Sequence, residues 1–390
     1  MSGDISFHIQ EEILRKLPVK SLIRFRSVCK AWKRLIESSY FIAAHSVGQD
    51  ERQNLLVRHL VEGKAKYVCI VDDDTFPQQR FVPTLPLSFQ RLQRSIVVGS
   101  CNGLLCLDGY YYEKSHSLLG KPMIMLWNPS IRKSIAIAVP EPGMSNKMDE
   151  TVFGFGVCPV THDPKIIMIR QLAPLHEKPN KINDPREVML YTLSSGNWTS
   201  LSTASSNVPS KSVRVQWYGQ VIDRFIYWSG LHLKALNSRL IRWTCNLILS
   251  FDMINHTFQV IDLPDSLAKH PPSKISISKL RESVVIFESN EKEKHCHDVV
   301  WVMENNGVEK SFTKVFTIIA PEYGSSIRAM GLRNNGTLIM QVKKDYRCEE
   351  SEIVVYEPKT QHLNALKIDG IRSFSGVNSY KETLLLLGSE

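Results

Sequence analysis

The sequence predicts a mainly β chain: a six-bladed β-propeller with a small all-α module in front of it. Three observations lead there. Two kinds of hairpin alternate through the residues after 50, aromatic residues recur at a blade-sized period, and a short basic helical stretch stands apart from both near the N-terminus.

The helical stretch reads LPVKSLIRFRSVCKAWKRLI (17–36). Just before it, Ile9, Ile13, Leu14 and Leu17 fall at i, i+4, i+5 and i+8, which is one side of a helix. Glu11 and Glu12 come early in that helix and Arg15 and Lys16 late, as the helix dipole prefers. Pro18 stops it. Ser21 is placed to N-cap a second helix carrying Leu22, Phe25 and Val28. A third helix is expected from Ala31, with Trp32, Leu35 and Ile36 on one side. Three helices within residues 1–45 make a core near the limit of independent stability, so such a module uses a partner or a neighbouring domain to cover its spare apolar surface. Residues 1–45 hold eight Lys/Arg against four Asp/Glu, so +4 of the chain's net +9 sits there. That asymmetry points to an acidic protein partner at the front rather than to a broad nucleic-acid surface.

The body, residues 46–390, follows. One kind of hairpin opens on a glycine or small residue and ends in an aliphatic run: VVGSCNGLLCL, FGFGVCPVTHDPKIIMI, WYGQVIDRFIYW, ISISKLRESVVIF, MGLRNNGTLIM and FSGVNSYKETLLLL. Asn102-Gly103 and Asn335-Gly336 mark tight turns in two of these. The other kind carries an aromatic, a turn and a second strand. Its aromatics are Trp127, Tyr191, Phe251, Trp301 and Tyr356, spaced 64, 60, 50 and 55 residues apart, with Trp198, Phe258 and Leu363 seven residues beyond three of them. Each period holds four strands. Six hairpins of the first kind meet five of the second, and the strand pair NLLVRHL (54–60) and KYVCIVD (66–72) supplies the missing partner. Paired with FSGVNSYKETLLLL, it closes a ring from both ends of the body. A two-sheet sandwich is the other architecture this pattern allows.

The front run EEILRKLPVKSLIRFRSVCKAWKRLI, with Phe41-Ile42 after it, resembles the F-box. The body stretches GSCNGLLCL…LWNPSIRK, GFGVCPVTHDPK, LSFDMINHTFQVIDLP and WVMENNGVEKSFTKVF resemble the plant F-box-associated interaction domain of type 1, with a kelch-like propeller. Together the two resemblances cover nearly the whole chain. They imply a plant substrate receptor whose front module docks on a Skp-family adaptor and, through it, a cullin-based ubiquitin ligase, while the propeller binds a target protein. Mapped onto this sequence, the adaptor contact is expected at Ile5, Ile9, Ile13, Leu14, Leu17, Pro18, Val19, Lys20, Leu22, Phe25, Val28, Cys29, Lys30 and Trp32. Phe25, Trp32 and Leu35 serve equally well as the module's own core. The sequence departs from the family at Ile5-Ser6, where Leu-Pro is usual; apolar bulk is kept and the stiff proline is lost. In the body, Val157-Cys158-Pro159 and Asp163-Pro164-Lys165 stand where the family has Gly-x-Asp-Pro and Asp-Tyr-Lys.

Other residues carry less. No apolar run approaches the roughly 18–20 residues that span a bilayer, and MSGDISFHIQEEIL has no basic start or apolar middle of a signal peptide. The expected setting is therefore the cytoplasm or nucleus, with no membrane and no nucleic-acid partner. The eight cysteines are scattered and read as buried free thiols. His295-Cys296-His297-Asp298 reads as a polar loop without a second ligand pair, and His162-Asp163 as a turn. No nucleophile–base constellation, phosphate loop or metal set is found, so neither catalysis nor a cofactor is expected. Gly154 and Gly156 read as close packing. The connections at 114–121, 141–150, 172–187, 232–245 and 289–298 are candidates for target binding, and within 232–245 the apolar Leu236, Leu240, Ile241 and Trp243 form either a recognition patch or a cap. Three other functions remain to be weighed: an F-box scaffold outside any ligase, a DNA-binding helical module, and a metal-dependent oxidase propeller.

Overall fold

The computed structural model describes residues 5–387 apart from 49–53, 62–63, 79, 113–119, 142–148, 173–181, 183, 185, 238–240, 281, 293–294, 307–308, 321–325, 334, 344–351 and 367–372. Four helices come first: α1 (Phe7–Arg15), α2 (Val19–Phe25), α3 (Lys30–Ile36) and α4 (Ser39–Gly48). The expected three-helix module thus gains a fourth helix. Pro18, not Ser21, is the N-cap of α2. Proline fixes its own φ and has no N–H to leave unsatisfied, and its carbonyl accepts from the Leu22 N–H at 3.1 Å. At α3 the cap is Cys29, whose Sγ accepts from the Trp32 N–H at 3.4 Å.

The rest is a six-bladed β-propeller of four-stranded antiparallel sheets. One blade holds β1 (Asn54–Val61), β2 (Lys64–Val71) and β3 (Arg80–Phe81). The next four-strand set is β4 (Leu92–Cys101), β5 (Leu104–Tyr111), β6 (Lys121–Asn128) and β7 (Lys133–Ala138). Then come β8 (Asp149–Val157), β9 (Pro164–Leu172), β10 (Val188–Thr192) and β11 (Asn197–Ser200). They are followed by β12 (Val213–Ile222), β13 (Phe225–Ala235), β14 (Ile241–Asp252) and β15 (Thr257–Asp262). The fifth set is β16 (Ile275–Leu280), β17 (Ser283–Lys292), β18 (His295–Asn306) and β19 (Glu309–Ala320). The sixth is β20 (Ser326–Leu332), β21 (Leu338–Lys343), β22 (Glu352–Glu357) and β23 (His362–Ala365). The first blade is completed by β24 (Ser373–Tyr380) in the order β24-β1-β2-β3. It therefore takes one strand from the far end of the chain, not a hairpin. The second half of FSGVNSYKETLLLL is not a strand: Leu384, Leu385 and Leu386 are buried, and the Asn128 amide donates to the carbonyls of Thr383 (3.0 Å) and Leu385 (2.7 Å).

The recurring aromatics sit on the third strand of their blades, and the seven-residue echo is a cross-strand pair. Tyr191 faces Trp198, Phe251 faces Phe258 and Tyr356 faces Leu363. Ring centroids lie 5.3 Å apart in the first pair and 4.8 Å in the second. The intervening turn has one left-handed residue, five positions after the aromatic: Arg132 (φ 57°), Gly196 (φ 66°), His256 (φ 56°) and Gln361 (φ 56°). Middle strands are buried on both faces, so they read as unbroken apolar runs such as Leu104–Leu107 and Val284–Phe287, while the fourth strands are largely exposed.

By contact density the chain divides into two compact units. One holds Met1–Val57, Tyr67–Val139 and Asn378–Glu390, so the helical module shares a unit with blade β4–β7. Its core includes Tyr67, Phe89 and Trp127, with ring centroids 5.1 to 5.6 Å apart. The other holds Arg58–Lys66 and Pro140–Val377. There, successive blades pack face to face through clusters around Trp228 and Phe251, around Ile248 and Ile286, and around Met340 and Tyr356. Gly154 and Gly156 do serve close packing: a Cβ at Gly154 would lie 2.2 Å from the Trp228 ring, and one at Gly156 2.4 Å from Met253 Sδ.

Candidate functional site

Six large apolar side chains of the helical module are exposed: Ile5, Phe7, Ile9, Ile13, Val28 and Tyr40. Ile9 (51% exposed) and Ile13 (50%) lie four residues apart on one side of α1, and Ile5 (55%) is exposed just before the helix. Val28 (60%) adds to the apolar surface at the start of α3. Pro18, Lys20, Cys29 and Lys30 are exposed, and Leu17, Phe25 and Trp32 are half-buried.

Leu14, Val19 and Leu22 behave otherwise. All three are buried within the chain, with Ile36, Phe41, Ile42 and His45 as the other buried members of the module. They offer no surface to a partner, so the expected contact set contracts to the exposed and half-buried positions. The reason lies in α1: Ile13 and Leu14 are adjacent, about 100° apart around the axis, and only Leu14 turns inward. Sequence reasoning missed Phe7 and Tyr40, both exposed. Tyr40 takes the Arg15 guanidinium over its ring at 5.0 Å.

Polar contacts hold the module in one shape. The Trp32 indole N–H donates to Gln10 Oε1 at 2.8 Å, and its ring lies 5.6 Å from that of Phe25, so both aromatics hold helices together as well as facing outward. Arg26 pairs with Glu37, and Arg15 with Glu11. His45 shares a hydrogen bond with the Leu17 carbonyl at 2.9 Å, and burial holds its pKa below the ordinary histidine value. The residues after β24 touch the module: the Lys381 ammonium donates to the Ser46 carbonyl at 3.3 Å. Glu382 is pushed up by burial, an effect the charge of Lys20 opposes. With two arginines engaged internally, Lys16, Lys20, Arg24, Lys30, Lys33 and Arg34 remain as an exposed cationic set on the same module.

The expected target-binding residues are not gathered in a loop. Stretch 232–245 is mostly the long β13–β14 hairpin, with Leu233 opposite Trp243 and Ala235 opposite Ile241. Ile241 and Trp243 pack on buried Ile182, Leu231 and Leu233 and so serve as a cap. Leu236 is exposed. Leu240 lies outside the described residues, as do most of 114–121, 141–150 and 172–187. Residues 289–292 belong to β17 and 295–298 to β18, so His295-Cys296-His297-Asp298 is strand, not loop. Ladder pairing with Ala320, Ile319 and Ile318 on β19 accounts for it. Among the described residues no group of three His, Cys, Asp or Glu is placed to hold a metal ion. His162 lies in a turn with φ 54°, and Asp163 accepts from the Ser194 N–H at 3.0 Å, an anchor between two turns. Cys69 and Cys106 are buried thiols, Cys69 pushed up to about 12 by burial and then by the charge of Glu382, which leaves it no nucleophilic character. Cys29 is exposed. Among the described residues no helix is long and apolar enough to cross a membrane.

Comparison with known proteins gives two family matches: "F-box domain" over residues 4–43 and "F-box associated beta propeller domain" over residues 61–386. The second description does not carry the type 1 subdivision. Among similar proteins of Arabidopsis thaliana, "F-box protein At3g07870" is 24% identical, covering 92% of this chain and 86% of its own length. "F-box protein CPR1" is 24% identical, covering 84% and 76%. "F-box/kelch-repeat protein At3g23880" is 23% identical, covering 88% of each, and is the one of these three whose name mentions kelch repeats.

Proposed function

The chain belongs to the F-box proteins that carry an associated β-propeller domain, and on that premise we propose that it is the substrate-recognition subunit of a Skp–cullin–F-box ubiquitin ligase. The front module docks on a Skp-family adaptor, and the propeller presents a target protein for ubiquitin transfer carried out elsewhere in the complex. The chain itself is a non-catalytic receptor that acts by raising the target's local concentration near the conjugating enzyme. It works in the cytoplasm or nucleus.

One observation carries the adaptor contact: Ile9 and Ile13 are exposed on one side of α1, with Ile5 and Val28 also exposed and an exposed cationic set in the same module. Apolar anchors of this kind account for most of the affinity of an interface, and flanking charges set encounter rate and orientation. Ile5-Ser6 bears on the alternative, a scaffold outside any ligase. Ser6 is the N-cap of α1 and makes no side-chain cap bond, so the N-terminal edge is held by the Gln10 amide donating to the Ile5 carbonyl at 2.8 Å.

Co-expression with a Skp-family adaptor tests the reading. A one-to-one complex that survives gel filtration is expected, and Ile9→Asp with Ile13→Asp should abolish it while the melting temperature stays unchanged. A chain that elutes alone supports the scaffold.

A further inference from the structure

Between the β12–β13 turn and the β16–β17 turn lies a cavity of about 490 Å³. Its floor, Tyr227 and Met303, belongs to the apolar cluster that joins two neighbouring blades. Asp223 and Glu282 line the cavity together with Ser283 and Phe225, and the Arg224 cation lies close enough to act on Tyr227 against the charges of Asp223 and Asp252.

Two polar groups in this cleft await a partner. Tyr227 is 4% exposed, yet its hydroxyl makes no hydrogen bond with any described residue. The hydroxyl is not among the buried unpartnered polar atoms, so it is reached from the cleft, where an entering donor can meet it. Burial, and then the charge of Asp223, push this phenol up to about 12, so it is a neutral hydroxyl near pH 7. Asp223 makes no ion pair among the described residues. Its neighbour Arg224 is committed elsewhere, to Asp252 Oδ2 at 3.1 Å and to the face of Phe225 at 4.8 Å. Among the described residues Glu282 pairs only with Lys279, at 3.8 Å, and it is mostly exposed.

We propose that this cleft takes the guanidinium of an arginine side chain on the protein the propeller captures, with Asp223 as the ion-pair partner and the Tyr227 hydroxyl as a hydrogen-bond acceptor. The occupant's being a target residue rests on the receptor reading above; the cleft's chemistry does not. A guanidinium presents five donors in a planar fork, which serves a carboxylate and a phenol together, and its flat faces and aliphatic stem suit the apolar walls at Ile222, Val284 and Met303. A lysine ammonium, a compact and more strongly hydrated charge, gains less from such walls.

The probe is N-acetyl-arginine amide, titrated into full-length protein carrying ¹³C-methyl methionine and read at the Met303 methyl, which the variant Met303→Leu identifies. A saturable shift is expected, with the neutral isostere N-acetyl-citrulline amide silent and N-acetyl-lysine amide weaker. Asp223→Asn should weaken arginine binding about tenfold or more, since charged hydrogen bonds are worth at least that factor. Asn also accepts the left-handed backbone of position 223 (φ 52°), so the turn survives. Tyr227→Phe keeps the ring and removes only the hydroxyl, and weaker binding is again expected. Should Asp223→Asn fail to fold, the exposed Glu282→Gln replaces it. No shift, equal shifts with citrulline, or unchanged affinity in the variants overturns the proposal, and lysine binding as tightly as arginine overturns the guanidinium assignment. Adaptor co-purification of wild type and Asp223→Asn runs alongside. Adaptor loss with arginine binding intact sinks the receptor reading and leaves the cleft standing.

Discussion

His45, His59 and His256 are each held below the ordinary histidine pKa, first by burial. Lys66 adds to this at His59 and Lys165 at His256, where Asp252 opposes it. Such a group takes its proton more readily in the unfolded chain. Stability is therefore unaffected near neutrality, falls as pH drops through about 6.5, and levels off below the folded-state pKa. The limiting slope is about 1.4 kcal/mol per pH unit for each group. Urea midpoints measured between pH 7.5 and 5 should show this fall, and His256→Asn, which suits the left-handed φ of 56° there, should flatten it. A second pair of variants separates surface from core in the helical module. Ile13→Ala should leave stability unchanged within about 0.5 kcal/mol, whereas Leu22→Ala, fully buried, should cost about 2–5 kcal/mol in urea unfolding. The sequence could say that Ile9, Ile13, Leu14 and Leu17 share a helical side. It could not say which flank of that side faces inward, because Glu11, Glu12 and Arg15 mark the outer face of the helix but not which edge of its broad apolar side meets the other helices. The unpartnered Tyr227 hydroxyl left no trace in the sequence, since the cleft it lines exists only once two blades meet.

At the scale of elements, the aromatic spacing was legible because a β-hairpin with a fixed turn converts a sequence interval into a facing pair. The same turn needs a left-handed residue five places after the aromatic, and of the four cases only position 196 is glycine. No atom lies within 4 Å of where a Cβ at Gly196 would stand. Gly196→Ala should therefore cost about 1 kcal/mol through backbone conformation alone. At Gly154 the backbone is ordinary and space is the obstacle, so Gly154→Ala should cost about 1–3 kcal/mol by forcing Trp228 aside. Guanidinium denaturation of both variants checks the contrast. Helix α4 was not legible: SYFIAAHSVG has weak amphipathic patterning, and packing of Phe41, Ile42 and His45 stabilises it. The 232–245 stretch was read as a loop because its apolar residues follow no strict alternation, and the β13–β14 ladder shifts register between His232 and Leu233.

For the whole molecule, the six-blade count followed from hairpin arithmetic, and the ladder order bears it out. What arithmetic could not supply is how the first blade is shared between the chain's two ends. Three of its strands come from residues 54–81 and one from Ser373–Tyr380. The residues after it act as a clasp on blade β4–β7: Gly103 is so close to Lys381 that a Cβ would lie 2.2 Å from its carbonyl oxygen, and Ser130 Oγ meets the Tyr380 hydroxyl at 2.6 Å. Asn128→Ala, which removes both amide bonds to that clasp, should lower stability by about 1–3 kcal/mol. During synthesis on the ribosome, β1 waits with a bare edge while some three hundred further residues are made. A message cut short before codon 373 would thus yield not a smaller receptor but a strand edge open to other chains, a product for chaperones and proteases to clear.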